Sequence, residues 1–158
     1  MVPHIGVVGS SEPTVELEEI AEAIGSDIGR AGAVLVCGGL GGVMAAACRG
    51  AAGVGGLTIG VLPGADRASA NEWVQAAVPT GLGEARNCVV VWASDVLIAI
   101  GGEYGTLSEV AFALKVGRPV IGVSTWELTR PEGTREPAII RVDAKAAVAR
   151  ALVVAAGG

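Results

Sequence analysis

Short, wholly apolar runs alternate along this chain with stretches whose apolar residues recur every three or four positions. Ile5 to Val8, Val34 to Cys37, Thr58 to Leu62, Val96 to Ile100 and Pro119 to Val123 have the pattern of strands covered on both faces of a parallel sheet. Trp73 to Val78 reads as a further strand, and Ile139 to Val142 as a short edge strand. Between them, Leu17, Ile20, Ala21, Ile24 and Ile28 form one stripe, with Glu16, Glu18, Glu19 and Glu22 mostly off it, and Pro13 is expected in the first turn of that helix. A small-residue helix should run to about Ala51, another from about Glu84 to Ala93, and a third from Thr106 with Leu107, Val110, Ala111 and Leu114 inward. Asp143 should cap a final helix bearing Ala147, Val148, Ala151 and Leu152, and Ser124 to Pro137 reads as a loop or flap. Strand and helix alternate throughout, which predicts a single three-layer α/β domain over residues 1–158 with right-handed crossovers and a mostly parallel sheet.

Composition narrows this picture. Half the residues are hydrophobic, yet only 3% are aromatic and 25 are glycine, so Val, Ile, Leu and Ala must build the core. No apolar run is long enough to span a bilayer as a helix, so no membrane role is expected. The start, Met-Val-Pro-His, lacks a basic region followed by an apolar one; a cytoplasmic protein without a signal peptide is expected. The net charge of −5, without a Lys/Arg cluster, argues against nucleic acid as the partner. Cys37, Cys48 and Cys88 show no metal-ligand spacing and read as buried, reduced thiols, and no metal site is expected. The segment from Arg86 to Ala93, with Cys88, Val89, Val90, Val91 and Trp92, is apolar nearly all round, which predicts a homodimer or dimer-based oligomer.

The chemistry is concentrated where strands turn into helices. Gly101, Gly102 and Gly105 follow a buried strand and precede Thr106, an order that aims unpaired backbone N–H groups and the positive end of a helix dipole at one point. The same residues also allow Thr106 and Glu109 to form a capping box, which would explain Glu109 without catalysis. Gly9-Ser10-Ser11, Gly38 to Gly42 and Thr80 to Asn87 are three more polar or glycine-rich turns. In a parallel sheet all four open on the rim beyond the strand C-termini, where ligands bind. A phosphate held by backbone N–H groups of Gly102 to Thr106 is therefore expected. Gly9, Ser10, Ser11, Gly39 and Gly41 should line the rest of the cleft, with Arg86 pointing into it unless it pairs at the surface with Glu84. Gly-x-Gly-x-x-Gly is missing from the first turn and Gly-Lys-Ser/Thr from the second, which excludes a standard dinucleotide fingerprint and a nucleoside-triphosphatase P-loop. Arg49 reads as a solvated or partner-facing charge.

Cys37-Gly-Gly-Leu-Gly-Gly-Val-Met44, Thr80-Gly-Leu-Gly-Glu-Ala-Arg-Asn87 and Gly101-Gly-Glu-Tyr-Gly-Thr-Leu-Ser-Glu109 resemble the Lonely-guy, or "lysine decarboxylase-like" (SLOG), superfamily. The resemblance runs from Gly6 to the last helix, and is nearest to the short branch that includes molybdenum-cofactor carriers. It implies a Rossmann-like fold and a dimer-based assembly. Lonely-guy enzymes release the base from a nucleoside 5′-monophosphate with an Arg and a Glu, and by resemblance these are Arg86 and Glu109. Lysine decarboxylase activity is not implied, since Lys115, inside a helix, has no setting for pyridoxal phosphate. The enzymes carry Pro where Ile100 stands, Lys at Asn87 and Glu at Ser108, and their glycine loop lacks one residue of Glu103-Tyr104. The carrier-like branch shares this chain's pattern. For it the resemblance implies binding of a phosphorylated nucleotide- or pterin-like ligand, with Asn87, Gly101, Gly102, Tyr104, Gly105 and Thr106 at the site. No cofactor is required; a nucleotide or the molybdenum cofactor would be the ligand.

Overall fold

The computed structural model describes residues 1–157. Among them, seven strands form one all-parallel sheet: β1 (His4–Gly9), β2 (Val34–Cys37), β3 (Thr58–Leu62), β4 (Ala76–Pro79), β5 (Val96–Ile100), β6 (Val120–Val123) and β7 (Ile139–Arg141). Their order across the sheet is β4-β3-β2-β1-β5-β6-β7. The chain winds outward from β1 to one edge, then returns to the other side of β1, so the switch point lies between β1 and β5.

Every strand residue of β2, β5 and β6 is buried, as their unbroken apolar runs require. Alternate side chains serve opposite layers. Ile5, Val7, Leu35, Ile98 and Ile100 pack against α1 (Val15–Arg30), α2 (Val43–Gly53) and α5 (Ala144–Ala155). Val8, Val36, Leu97 and Ala99 meet α3 (Asn87–Trp92) and α4 (Tyr104–Lys115) on the other face. No helix of the described residues is long and apolar enough to cross a membrane. The small residues of α2 do more than pack on the sheet: a Cβ on Gly25 would lie 2.0 Å from the Ala47 carbonyl oxygen, and one on Gly50 would lie 2.0 Å from that of Glu22. The two backbones therefore nearly touch, and Arg49 reaches across this seam to Glu18 and Glu22 at 3.2 and 2.8 Å.

Several local boundaries differ from expectation, each for a stated reason. Thr14 is the cap of α1, accepting from the Leu17 N–H, which leaves Pro13 just outside the helix. Asn71 folds its side chain onto the Trp73 N–H, and this turn delays the fourth strand to Ala76. The helix expected from Glu84 begins as a tight 3₁₀ turn over Gly83–Arg86 before α3 proper. Most consequentially, α4 starts at Tyr104, with Glu103 at its cap position, because Gly102 (φ 133°) turns the chain sharply enough to enter the helix at once. Thr106 is thus inside the first turn and forms no capping box with Glu109. Cys88 is half-buried, while Cys37 and Cys48 are buried with their sulfurs 3.4 Å apart.

Candidate functional site

A cavity of about 270 Å³ opens beyond the C-terminal ends of β1 and β5, at the switch point. Its walls come from four regions far apart in sequence: Gly9 at the end of β1 and Ser11 beyond it, Leu40 and Met44 around the start of α2, Glu84, Arg86 and Asn87 ahead of and in α3, and Glu103, Gly105, Thr106 and Glu109 at the cap and first turns of α4. The volume is slightly below the roughly 300–1,000 Å³ usual for small-molecule sites.

Arg86 is the cation of this cavity. It is only 8% exposed, and its guanidinium lies so close over the second glycine turn that a Cβ on Gly38 would stand 2.5 Å from Nη1. Nη1 donates to Asn87 Oδ1 at 2.9 Å, while the buried Nε has no hydrogen-bond partner among the described residues. Glu109 Oε1 is 3.8 Å from Nη1, too long for a hydrogen bond. Burial pushes the Glu109 carboxyl up to about 8, against the pull of Arg86 and with a smaller push from Glu84. At neutral pH it is mainly a neutral acid, which leaves the Arg86 charge largely uncompensated.

The start of α4 supplies donors to the same space. Glu103 at the cap position makes no side-chain bond to its own helix, and the first N–H groups of any helix lack intrahelical partners. Thr106 is 3% exposed and borders the cavity, as does Gly105. The Glu103 carboxylate instead reaches back to the turn after β1, accepting from Ser10 Oγ at 2.6 Å and Ser11 Oγ at 3.2 Å. Asn87 Nδ2 donates to Ser108 Oγ at 3.0 Å, and Ser108 Oγ donates to the Gly105 carbonyl at 2.7 Å.

Of the residues singled out in the sequence, Gly9, Ser11, Arg86, Asn87, Gly105, Thr106 and Glu109 border the cavity. The others stand off it. Ser10 is buried behind Ser11, and Gly101 and Gly102 form the turn itself, Gly102 backing directly onto Thr106. Gly39 is packed against Leu62 and Gly60, and Gly41 is exposed with open space around it. The N-terminus of α2 is closed by a bond from the Val43 N–H to the Ser10 carbonyl, so the second glycine turn contributes through Leu40 and Met44. Tyr104 is 82% exposed, its ring 5.9 Å from that of Trp126. Leu40, Met44, Glu84 and Glu103 were not foreseen as site residues. For Glu103 the extra residue in its glycine loop was the available signal.

The model of the SLOG cluster4 family matches residues 2–151. An uncharacterized protein of Archaeoglobus fulgidus is 45% identical over 117 residues, 74% of this chain and 77% of that protein. Among solved structures, the molybdenum cofactor binding protein from Rippkaea orientalis is 44% identical. It matches over 80% of this chain and 78% of its own with a TM-score of 0.77. The Moco carrier protein from Chlamydomonas reinhardtii is 34% identical and superposes over the full length of both chains with a TM-score of 0.85. The all-parallel sheet, the glycine turns at its switch point and a match along nearly the whole chain agree: the protein belongs to the SLOG cluster4 family.

Proposed function

We propose that this protein binds and carries a phosphorylated heterocyclic ligand, a nucleotide or a molybdopterin-type cofactor, with the phosphate between Arg86 and the start of α4. The observation that carries this reading is the buried Arg86. A guanidinium that is 92% buried, with an unpartnered Nε and only a largely neutral carboxyl beside it, needs an anion to balance its desolvation. Gly105 and Thr106, in the uncapped first turn of α4, border the same cavity, and the positive end of the helix dipole adds to Arg86 there. The likeness to a molybdenum cofactor binding protein and to a Moco carrier supports the same class of cargo. The apolar residues Leu40 and Met44 offer a face for a flat heterocycle. A homodimer formed through the outer surface of α3 and α4 belongs to the same reading, since that surface adjoins the cavity at Glu84, Asn87 and Gly105.

A second reading, hydrolysis of a nucleoside 5′-monophosphate by Arg86 and Glu109, draws support from one feature. Glu109 faces the cavity rather than capping its helix, and a carboxyl titrating near 8 is a general acid at neutral pH. What weighs against it is the contact between the two departures from the enzyme pattern. Asn87 and Ser108 hydrogen-bond to each other, a neutral pair at the positions where the resemblance implies Lys and Glu. The charges that would position a ribose for cleavage are replaced together, and the cavity keeps its shape without them. The test is to incubate the protein with AMP and GMP and to titrate it with molybdopterin-type ligands. The expected result is saturable binding, lost in Arg86→Ala, with no free base on chromatography. Base release abolished by Glu109→Ala would establish the hydrolase instead.

A further inference from the structure

Glu103 is the cavity's other anion-related feature, and its position is unusual for a helix cap. A polar residue at the cap position ordinarily accepts from its own first turn. Here the carboxylate turns away from α4 and accepts hydrogen bonds from the hydroxyls of Ser10 and Ser11, more than ninety residues earlier in the chain. Ser10 is 6% exposed, and its Oγ also accepts from the Glu12 N–H at 3.1 Å, which directs its proton to Glu103. The Ser10 hydrogen bond, helped by Ser11, holds the Glu103 carboxyl below its usual range, so it is a full anion at neutral pH.

The rim of the cavity therefore has two donor sets. One, Arg86 with the start of α4, has no carboxylate within hydrogen-bond distance among the described residues; the other, the Ser10 and Ser11 hydroxyls behind and at the rim, donates to the Glu103 carboxylate. Hydroxyls that donate to a carboxylate oxygen can donate to a phosphate oxygen in the same way. Resting on the phosphate site proposed above, we infer that Glu103 is a specificity-determining residue: a tethered anion that fills the second phosphate position, so that the site accepts a monophosphate and disfavours a diphosphate. A single phosphate at Arg86 leaves the Glu103–Ser10–Ser11 clamp in place. A diphosphate must displace the carboxylate or set its second phosphate against it, and like charges at contact distance repel by about 1 kcal/mol or more even in water.

The experiment compares inorganic phosphate with pyrophosphate, by isothermal titration and ³¹P line broadening, on the wild type, Glu103→Ala and Glu103→Gln. Both variants are checked for fold by circular dichroism. The readout is the ratio of the two dissociation constants, which cancels any general change in the site. The wild type is expected to bind pyrophosphate no more tightly than phosphate. E103A should shift the ratio toward pyrophosphate by about tenfold, the factor corresponding to roughly 1.4 kcal/mol. E103Q keeps the shape without the charge and should shift it by about threefold, and it carries the test alone if E103A fails to fold. Phosphate binding with the ratio unmoved in the folded variants, or a wild type that already prefers pyrophosphate, overturns the role of Glu103 alone. Phosphate binding to none of the three proteins overturns the phosphate site itself, and this inference with it.

Discussion

Arg86 and Glu109 sit 3.8 Å apart at about equal burial, yet their roles diverge because burial acts on them unequally. A guanidinium stays charged wherever it is put, whereas a carboxyl can shed its charge by taking a proton. The sign of the resulting pH dependence follows. Folded Glu109 titrates near 8 and an unfolded Glu near 4.3, so between these values the native state binds the extra proton. Stability therefore falls as pH rises from about 4.3 to 8 and changes no further above it. Glu109→Gln, neutral at every pH, should melt higher than the wild type at pH 8 by at least about 3 °C and match it near pH 4. Thermal melts across that range check this, and a wild-type advantage at pH 8 would show that Glu109 is ionised and paired. The same proton governs binding: phosphate affinity should drop above pH 8 as the Glu109 carboxylate competes for Arg86, and this drop should vanish in E109Q. Replacing Arg86 by Lys keeps a charge but loses the planar fork resting on Gly38, and should weaken phosphate binding by roughly tenfold. Sequence spacing marked both residues, since each follows a glycine turn. It left Arg86 a choice between the cleft and a surface pair with Glu84, because the contact that seats the guanidinium is with Gly38, just past the end of β2 and remote in sequence.

At the scale of elements, the continuous apolar runs were enough to locate the five inner strands, because strands covered on both faces leave such runs, whereas the half-exposed edge strand β4 was displaced by several residues. Boundaries failed where a single side chain or a glycine decides them: Thr14 before α1, Asn71 before β4, and Gly102 before α4. The last failure mattered most, since it turned Glu109 from a capping partner into a cavity residue. The Glu103 clamp was illegible for another reason: Ser10 and Glu103 meet because β1 and β5 are neighbours, and strand adjacency is a property of topology rather than of local pattern. The small residues of α2 marked a helix but not its partner, and its tightest contact is with α1. That seam makes a sharp prediction. Gly25→Ala or Gly50→Ala puts a Cβ 2.0 Å from a backbone carbonyl oxygen, which no rotamer change relieves. Each should cost at least about 2 kcal/mol and lower the melting temperature by roughly 4–8 °C. Gly53→Ala, in the same helix with nothing within 4 Å, should be neutral or stabilising by up to about 1 kcal/mol. If Gly25→Ala and Gly50→Ala melt no lower than Gly53→Ala, helix propensity alone governs the three and the seam carries no constraint.

For the whole molecule, the exposed aromatic surface lies on the outer side of α3 and α4. Val90 and Val91 point into the core as the apolar run implies, but Cys88 and Val89 are half-buried and Trp92 is 57% exposed. Trp92 stands edge-on to Phe112, with the Arg118 guanidinium 5.8 Å from its ring, and Leu82 and Tyr104 extend the apolar surface toward the cavity. Between the helices runs a groove bordered by Ala85, Cys88, Tyr104 and Phe112, which shares Glu84, Asn87 and Gly105 with the cavity rim. An exposed tryptophan beside a half-buried phenylalanine is an anchor of the kind that dominates interfaces. A second copy meeting this face must cover about 1,200–2,000 Å² in total to be stable. The expected outcome is a dimer by light scattering at micromolar concentration. Trp92→Glu should convert it to a monomer that remains folded, because the new carboxylate stays at the surface beside Arg118. The monomer should also bind phosphate ligands more weakly, since a partner seated on the groove narrows the opening at Glu84 and Gly105 and keeps water from the Arg86 charge. A wild type that scatters as a monomer removes the dimer. A monomeric W92E with unchanged affinity keeps the dimer but separates it from the site.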